Sequence, residues 1–410
     1  MLKNTTDYRE RWWRRILQER RQTFVQRIWN RKAGESYNIK EILSWIWEDL
    51  KYISTWIPNI LLQLRAYGGV IQQKYGLSRI QQFYRLSYLA FYHQVNPTSL
   101  RGRRLYLQES WEKVDDYTYM HDRSQFLLAE KSFPDEIEIL ENKFEFFRFC
   151  RSKGISTPEI LAIYENGKRV WPEDLKFRLP HKNLFLKSLD GNAGQGIRRM
   201  MWSGKTFKDQ HEKEYTPEEL SDLLAEESKK NGIILQNVMV NHPSWSGFTS
   251  GAFVTCRIVT AKSPDDGSVF PLFTTIKLPV GKAYIDNFSK GGFYSGIDKE
   301  TGKMGLAYGL RPVNGGFNFT LHPDTRQKIE GEKIPFWQDI LQFAIHIHSQ
   351  FNTIFVGWDI GMTENGPIVV EGNIGWASRS YECTHLEPLC NTEYPILYEK
   401  WLEKFPQSNE

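Results

Sequence analysis

The period of the apolar positions changes near residue 125. Before it, Trp13, Leu17, Phe24 and Ile28 recur at helical spacing, and the runs Ile42 to Leu64 and Ile80 to His93 are amphipathic with no strand pattern between them. Residues 1–125 are therefore predicted to be a helical region. Beyond it, short strand-like runs alternate with helices. An amphipathic helix is expected from Asn142 to Lys153, stopped by Gly154, with Ile155 to Ile160 leading into a strand. Further strands are predicted at Asn183 to Lys187, Gly232 to Val240, Ala252 to Ala261 and Leu272 to Val280, and a helix at Pro335 to Phe351.

The closing run, Val356-Gly-Trp-Asp359-Ile-Gly-Met-Thr-Glu-Asn-Gly366-Pro-Ile-Val-Val-Glu371-Gly-Asn373, reads as a hairpin. Glu364-Asn365-Gly366 suits a three-residue loop, its glycine taking the left-handed position. With Asn365 at the centre, Asp359 lies opposite Glu371, and Asn373 follows two residues later on the same face. The other parity, Val356, Trp358, Ile360, Ile368 and Val370, is apolar. Two carboxylates and an amide oxygen on one face are hard ligands of the kind magnesium takes, with phosphate oxygens and water completing its shell. A plain hairpin with solvated acids is the alternative.

Composition narrows the class. The chain has 410 residues, 40% hydrophobic and 14% aromatic, enough for two or three folded domains. Its net charge of +4 is unevenly placed, because residues 1–33 hold ten Lys or Arg against three acids, or +7, leaving −3 for the rest. A nucleic-acid footprint across the folded part is therefore not expected. Trp12, Trp13 and the arginines around them make residues 1–33 a candidate peripheral membrane or partner contact, against the plainer reading of a solvated face with a core stripe. Tyr52 to Leu64, the longest apolar stretch, is interrupted by Pro58 and Asn59 and is too short to span a bilayer. Cys150, Cys256, Cys383 and Cys390 have neither zinc nor disulfide spacing, which fits a reducing cytoplasm. His346 and His348 lie about 200° apart on a helix, so they do not chelate together.

A second motif suits phosphate. Lys187 ends a strand and runs into Gly191, Gly194 and Gly196, where backbone N–H groups can approach phosphate oxygens and the ammonium can meet them as a point charge. Ser203-Gly204-Lys205-Thr206 imitates the end of a Walker loop, but Arg199 occupies the position of its first glycine.

In order, the lysine strand, the glycine loop, Leu235-Gln-Asn-Val-Met-Val-Asn-His242-Pro, Thr255-Cys-Arg257-Ile-Val-Thr260, Asp286-Asn287-Phe-Ser-Lys-Gly291-Gly292 and the Asp359, Glu371, Asn373 set resemble the sugar-transfer-associated ATP-grasp family. The resemblance runs from about Asn142 to Ala377. It implies an α+β ATP-grasp fold with ATP between two lobes, residues 126–240 and 241–410, preceded by the helical region 1–125. By the same resemblance Lys143 and Lys187 reach ATP phosphates, and the loop from Gly191 to Gly196 covers them. Gln236 and Val238 meet adenine, Arg257 and Asn287 serve the transferred phosphoryl group or the acceptor, and Asp359, Glu371 and Asn373 hold Mg2+. Two positions depart from relatives: Gln236 stands where many carry an acid, and Gly357 where some dipeptide ligases carry an arginine.

The implied activity is ATP-dependent activation of a small-molecule carboxylate as an acylphosphate for attack by an amine or thiol, in a setting of cell-surface polysaccharide assembly at the inner face of the membrane. A phosphotransferase acting on a hydroxyl, and a nucleotide-binding scaffold in an envelope-biosynthesis complex, are the competing expectations. Trp376, Arg379 and Tyr381, just after the metal strand, are candidates to face the acceptor.

Overall fold

The computed structural model describes residues 8–12, 38–93, 95–119, 124–174, 176–189, 197–281, 292–313, 316–376 and 378–405. Two antiparallel seven-stranded sheets organise it, in the orders β2-β1-β7-β3-β4-β5-β6 and β12-β11-β10-β9-β8-β13-β14. The first comprises β1 (Ile160–Glu165), β2 (Lys168–Trp171), β3 (Leu184–Ser188), β4 (Arg198–Trp202), β5 (Phe207–Lys208), β6 (Glu214–Tyr215) and β7 (Ile233–Asn237). The second comprises β8 (Thr255–Lys262), β9 (Val269–Leu278), β10 (Phe293–Gly296), β11 (Ala307–Val313), β12 (Gly316–Phe319), β13 (Phe355–Thr363) and β14 (Gly366–Asn373).

The helical region contributes α1 (Ile39–Tyr75), α2 (Arg79–Phe91) and the single turns α3 (Ser99–Gly102) and α4 (Gln108–Trp111). Helix α1 continues through Pro58, in keeping with the amphipathic run predicted from Ile42 to Leu64, and Asn59 Nδ2 donates back to Thr55 O at 3.1 Å. One cluster joins this region to the second sheet: Trp56, Ile60, Ile71, Leu86 and Leu89 pack with Tyr308, Phe317 and Cys383. The predicted stripe Trp13, Leu17, Phe24 and Ile28, and all of residues 1–33 except 8–12, lie outside the described residues.

Helices α5 (Ser124–Ser132), α6 (Pro134–Glu141) and α7 (Lys143–Ser152) lead into the first sheet. Asn142 caps α7 by accepting from Phe144 N and Glu145 N, and Gly154 turns the chain at φ +67°. Adjacent residues of α7 enter different cores. Phe146 joins the cluster of the second sheet, whereas Phe147 packs with Ile160, Ile163 and Ile234 of the first. Helix α7 is thus a wedge between the lobes. Helix α8 (Pro217–Ser228) covers the other face of the first sheet through Leu220 and Leu224.

Behind the second sheet, α9 (Trp337–His348) buries Ile340, Leu341, Ala344 and Ile347 against Cys256, Ile258, Trp358 and Ile360. His348 is buried while His346 is exposed, as the helical period requires. Helices α10 (Arg379–His385) and α11 (Tyr394–Lys404) close the chain on the opposite side of this sheet. All four cysteines are free and buried.

Candidate active site between the lobes

The hairpin β13–β14 pairs Asp359 with Glu371 and Gly357 with Asn373, as the sequence predicts, by a different route. Thr363 pairs with Gly366, so only Glu364 and Asn365 lie between the strands, and Gly366 takes φ +102°. A bulge between Asp359 and Ile360 then leaves Val370 without an opposite residue. Without it, the turn register would set Glu371 opposite Trp358, facing the core. The bulge also corrects the expected apolar parity: Val369 is fully buried, while Ile368 and Val370 are half-buried.

Strand register assembles the rest. Asp359 also faces Arg257 on β8, and Arg257 faces Thr275 on β9, so Glu371, Asp359, Arg257 and Thr275 form one row across four strands. Lys277 stands two residues along β9 on that face. Arg257 donates to Asp359 through Nε at 2.5 Å and Nη2 at 2.9 Å, and Lys277 Nζ donates to Asp359 Oδ2 at 2.5 Å. Burial alone would raise the Asp359 pKa, but these two cations hold it well below the usual carboxylate range. Glu371 moves the other way, raised by burial and by the like charge of Asp359, against the pull of Lys277 and Arg257.

Lys277 is the site residue that sequence reasoning missed. Its signal was a lone cation inside the apolar run Leu272 to Val280. Tyr294, opposite Lys277 on β10 and an electrostatic neighbour of Arg257, extends the same face.

From the first lobe, Lys187 faces Glu371 closely enough for the two charges to interact. Its side chain is half-buried by area yet walled in by protein. Burial pushes its pKa down to about 8, with Lys143 adding to the shift and Glu371 opposing it. Lys143, the first residue of α7, donates from Nζ to Leu189 O at 2.8 Å, which brings it to the end of the Lys187 strand. Gln236 is adjacent to Phe185 in register and shares the Lys187 face, but it is buried and its amide donates to Pro158 O at 3.4 Å. Val238 is half-buried just beyond the end of β7. Gly191, Gly194, Gly196, Asn287 and Gly291 lie outside the described residues.

The donor set suits a hard divalent cation. Asn373 Nδ2 is directed to Gly357 O at 3.3 Å and to Glu371 Oε1 at 3.4 Å, which turns its amide oxygen away from both as the end left to meet a cation. Among the described residues, no three His, Cys, Asp or Glu side chains gather as they would for zinc. Two carboxylates and one amide leave coordination positions for phosphate and water. Among the described residues here, the cations Lys143, Lys187, Arg257 and Lys277 outnumber the carboxylates Asp359 and Glu371, an excess that favours a polyanion.

Of the candidates after the metal strand, Trp376 is buried and its Cβ lies 2.5 Å from where a Cβ on Gly357 would stand. Glycine is therefore required at 357, and an arginine there has no room. Tyr381 donates to Glu387 Oε2 at 2.5 Å. Arg379 runs along Gly102 of the helical region, 3.2 Å from the position of an added Cβ. Ser203 to Thr206 form a tight turn between β4 and β5, closed by Ser203 N to Thr206 O at 2.9 Å, so the Walker-like ending has no phosphate loop around it.

Two antiparallel sheets, with a lysine of one within interaction range of a carboxylate of the other, give an α+β architecture suited to holding a polyanion where they meet. The sequence matches the sugar-transfer associated ATP-grasp family over residues 125–384. The chain belongs to that family. Among solved structures it is similar to a D-alanine–D-alanine ligase from Bacillus anthracis (12% identity, 65% of this chain and 66% of that one, TM-score 0.33). It is also similar to an N5-carboxyaminoimidazole ribonucleotide synthetase from Thermotoga maritima (12%, 58% and 43%, 0.29) and an L-amino acid ligase from Bacillus licheniformis (14%, 62% and 49%, 0.30). The chain thus spans less than two thirds of these structures' own lengths. No curated protein matches it.

Proposed function

We propose that the protein is an ATP- and Mg2+-dependent ligase that activates a small-molecule carboxylate. A carboxylate oxygen attacks the γ-phosphorus of ATP, ADP leaves, and an amine or thiol then attacks the acyl carbon and expels phosphate. The observation that carries this reading is the meeting of Lys187 from one sheet with Glu371 and Asp359 from the other. Phosphoryl transfer needs positioning and charge neutralisation more than covalent help from the protein, and the described residues of the site are cations and metal-type ligands.

In this reading Asp359, Glu371 and Asn373 hold magnesium, which when bound neutralises phosphate charge. Lys187 and Lys143 bind phosphate oxygens, with Gly191, Gly194 and Gly196 closing over them. Gln236 and Val238 border adenine. Arg257, with Asn287, binds the transferred phosphoryl group or the acceptor carboxylate. Lys277 joins them, held ready on Asp359. The family's link to sugar transfer supports an acceptor drawn from cell-surface polysaccharide assembly, and four free buried cysteines suit a reducing compartment.

The test is phosphate release across candidate amino acids and sugar acids, with hydroxylamine present to trap the acylphosphate. Wild-type protein is expected to yield a hydroxamate. Asp359→Asn and Glu371→Gln are expected to lower its formation by at least ~100-fold, the upper end of what losing even an outer-shell metal partner costs. A stable phosphorylated acceptor in place of hydroxamate replaces the ligase with a phosphotransferase. Nucleotide binding without turnover across the whole panel replaces it with a scaffold.

A further inference from the structure

The first half of α1 carries an apolar surface that the fold does not use. Ile39, Leu43, Trp47, Leu50, Ile57 and Leu61 are each between 47% and 72% exposed. At 3.6 residues per turn they fall within an arc of about 80° and extend over about 33 Å of helix. The opposite side is the buried one, where Trp56, Ile60, Gln63 and Ile71 face the protein. Scattered exposed leucines need no explanation, but six apolar residues on one face over this length, interrupted in the arc only by Ser54, mark a contact surface.

Charge along the same helix points to the occupant. Lys40, Lys51 and Arg65 are exposed and lie along one edge of the stripe. Glu41, Glu48 and Asp49 lie at least about 80° outside the stripe, and no acid falls within it. The segment preceding the helix, residues 1–33, adds a net +7. An apolar stripe with cations along one edge and no acid within it complements a surface that is apolar inside and anionic at its rim. A second copy of the helix would need acids along that border to pair with the lysines. None of the described helices is long and apolar enough to cross a bilayer, so the contact is one of lying on the surface.

We propose that α1 is a membrane-docking helix that sets the protein on an anionic lipid surface, with Ile39, Leu43, Trp47, Leu50, Ile57 and Leu61 in the acyl boundary and Lys40, Lys51 and Arg65 among the headgroups. The proposal does not depend on the ligase reading, because the stripe belongs to none of the site's strands.

The experiment is flotation of the full chain with vesicles of phosphatidylcholine, alone and mixed with phosphatidylserine. Wild-type protein is expected to float with the anionic vesicles and to bind the neutral ones at least ~10-fold more weakly. Leu43→Glu with Trp47→Glu is expected to abolish flotation, and Lys40→Glu with Lys51→Glu to cut binding to anionic vesicles at least ~10-fold, both with the wild-type circular dichroism spectrum and urea midpoint. Wild-type protein that floats with neither vesicle overturns the proposal. So do variants that float like wild type, and so does a dimer, seen by light scattering, that Leu43→Glu with Trp47→Glu dissolves.

Discussion

Lys187 shows how a binding site stores a cost in single residues. A lysine whose pKa has fallen to about 8 is less stable charged in the folded protein than in water, and at neutral pH it is still largely charged. Sign follows directly: the unfolded chain keeps that proton up to about 10.4, so this residue's contribution to stability improves as pH rises from about 8 toward 10.4. A triphosphate beside it restores the charged form. ATP binding near pH 8 is therefore expected to take up a fraction of a proton per site, measured by calorimetry in buffers of different ionisation enthalpy. Lys187→Met should lose the uptake and melt at a higher temperature without nucleotide. Equal uptake by the variant would assign the proton elsewhere. Lys277 was harder to find, because a lysine in an apolar run looks like an interruption until strand register sets it against Asp359. Arg257 and Asp359 were legible as residue types, but not as a pair 102 positions apart.

At the scale of elements, one bulge decides which way the Glu371 carboxylate points. Symmetric counting from Asn365 placed Asp359 opposite Glu371, and the protein reaches the same pairing with a shorter turn plus Val370 as the extra residue. Local sequence carries no clear mark of such a bulge, since the twist and packing of the whole sheet select it. The contact between α9 and the sheet depends on a buried polar chain. Trp358 Nε1 donates to Thr260 Oγ1 at 2.8 Å, Thr260 meets His348 Nδ1 at 2.6 Å, and Nε2 reaches Thr353 O at 2.6 Å. That network assigns a neutral imidazole with its proton on Nε2. Burial pushes the His348 pKa down to about 4. Its neutral form is favoured by folding, so its contribution is complete above about 6.5 and is lost as pH falls toward 4, at about 1.4 kcal/mol per unit. Urea unfolding between pH 7 and 4 should show this slope, and His348→Gln should flatten it. An unchanged slope in the variant would remove His348 as its source.

At the scale of the whole molecule, a buried ion pair reinforces the apolar cluster that joins the helical region to the second sheet. Arg103 of the helical region donates to Glu382 of α10 at 3.0 Å, and the same carboxylate accepts from Thr118 N at 2.9 Å and Leu389 N at 3.1 Å. Removing one partner of a buried pair leaves a desolvated charge and costs about 3–5 kcal/mol. Arg103→Met is expected to destabilise the protein by that amount, and limited proteolysis should then release the helical region before the ATP-grasp lobes. A loss below about 1 kcal/mol with an unchanged cleavage pattern would show that the apolar cluster around Tyr308 and Phe317 suffices to hold the two together. Because α10 is the next element after β14, this junction also ties the helical region to the candidate site.

The sequence by itself determined the family and the broad layout, a helical first part with alternating elements after it, and offered lysines and glycines as candidates for phosphate and Asp359, Glu371 and Asn373 as candidates for a hard cation. These are legible because residue type and local period are properties of short stretches. Tertiary structure alone decided that Lys277 neutralises Asp359, that a bulge aims Glu371 into the cleft, that α7 wedges both lobes, and that one side of α1 is left uncovered. Each of these depends on which strands are neighbours and how the helices pack, and contacts between distant residues leave no periodic trace in the chain.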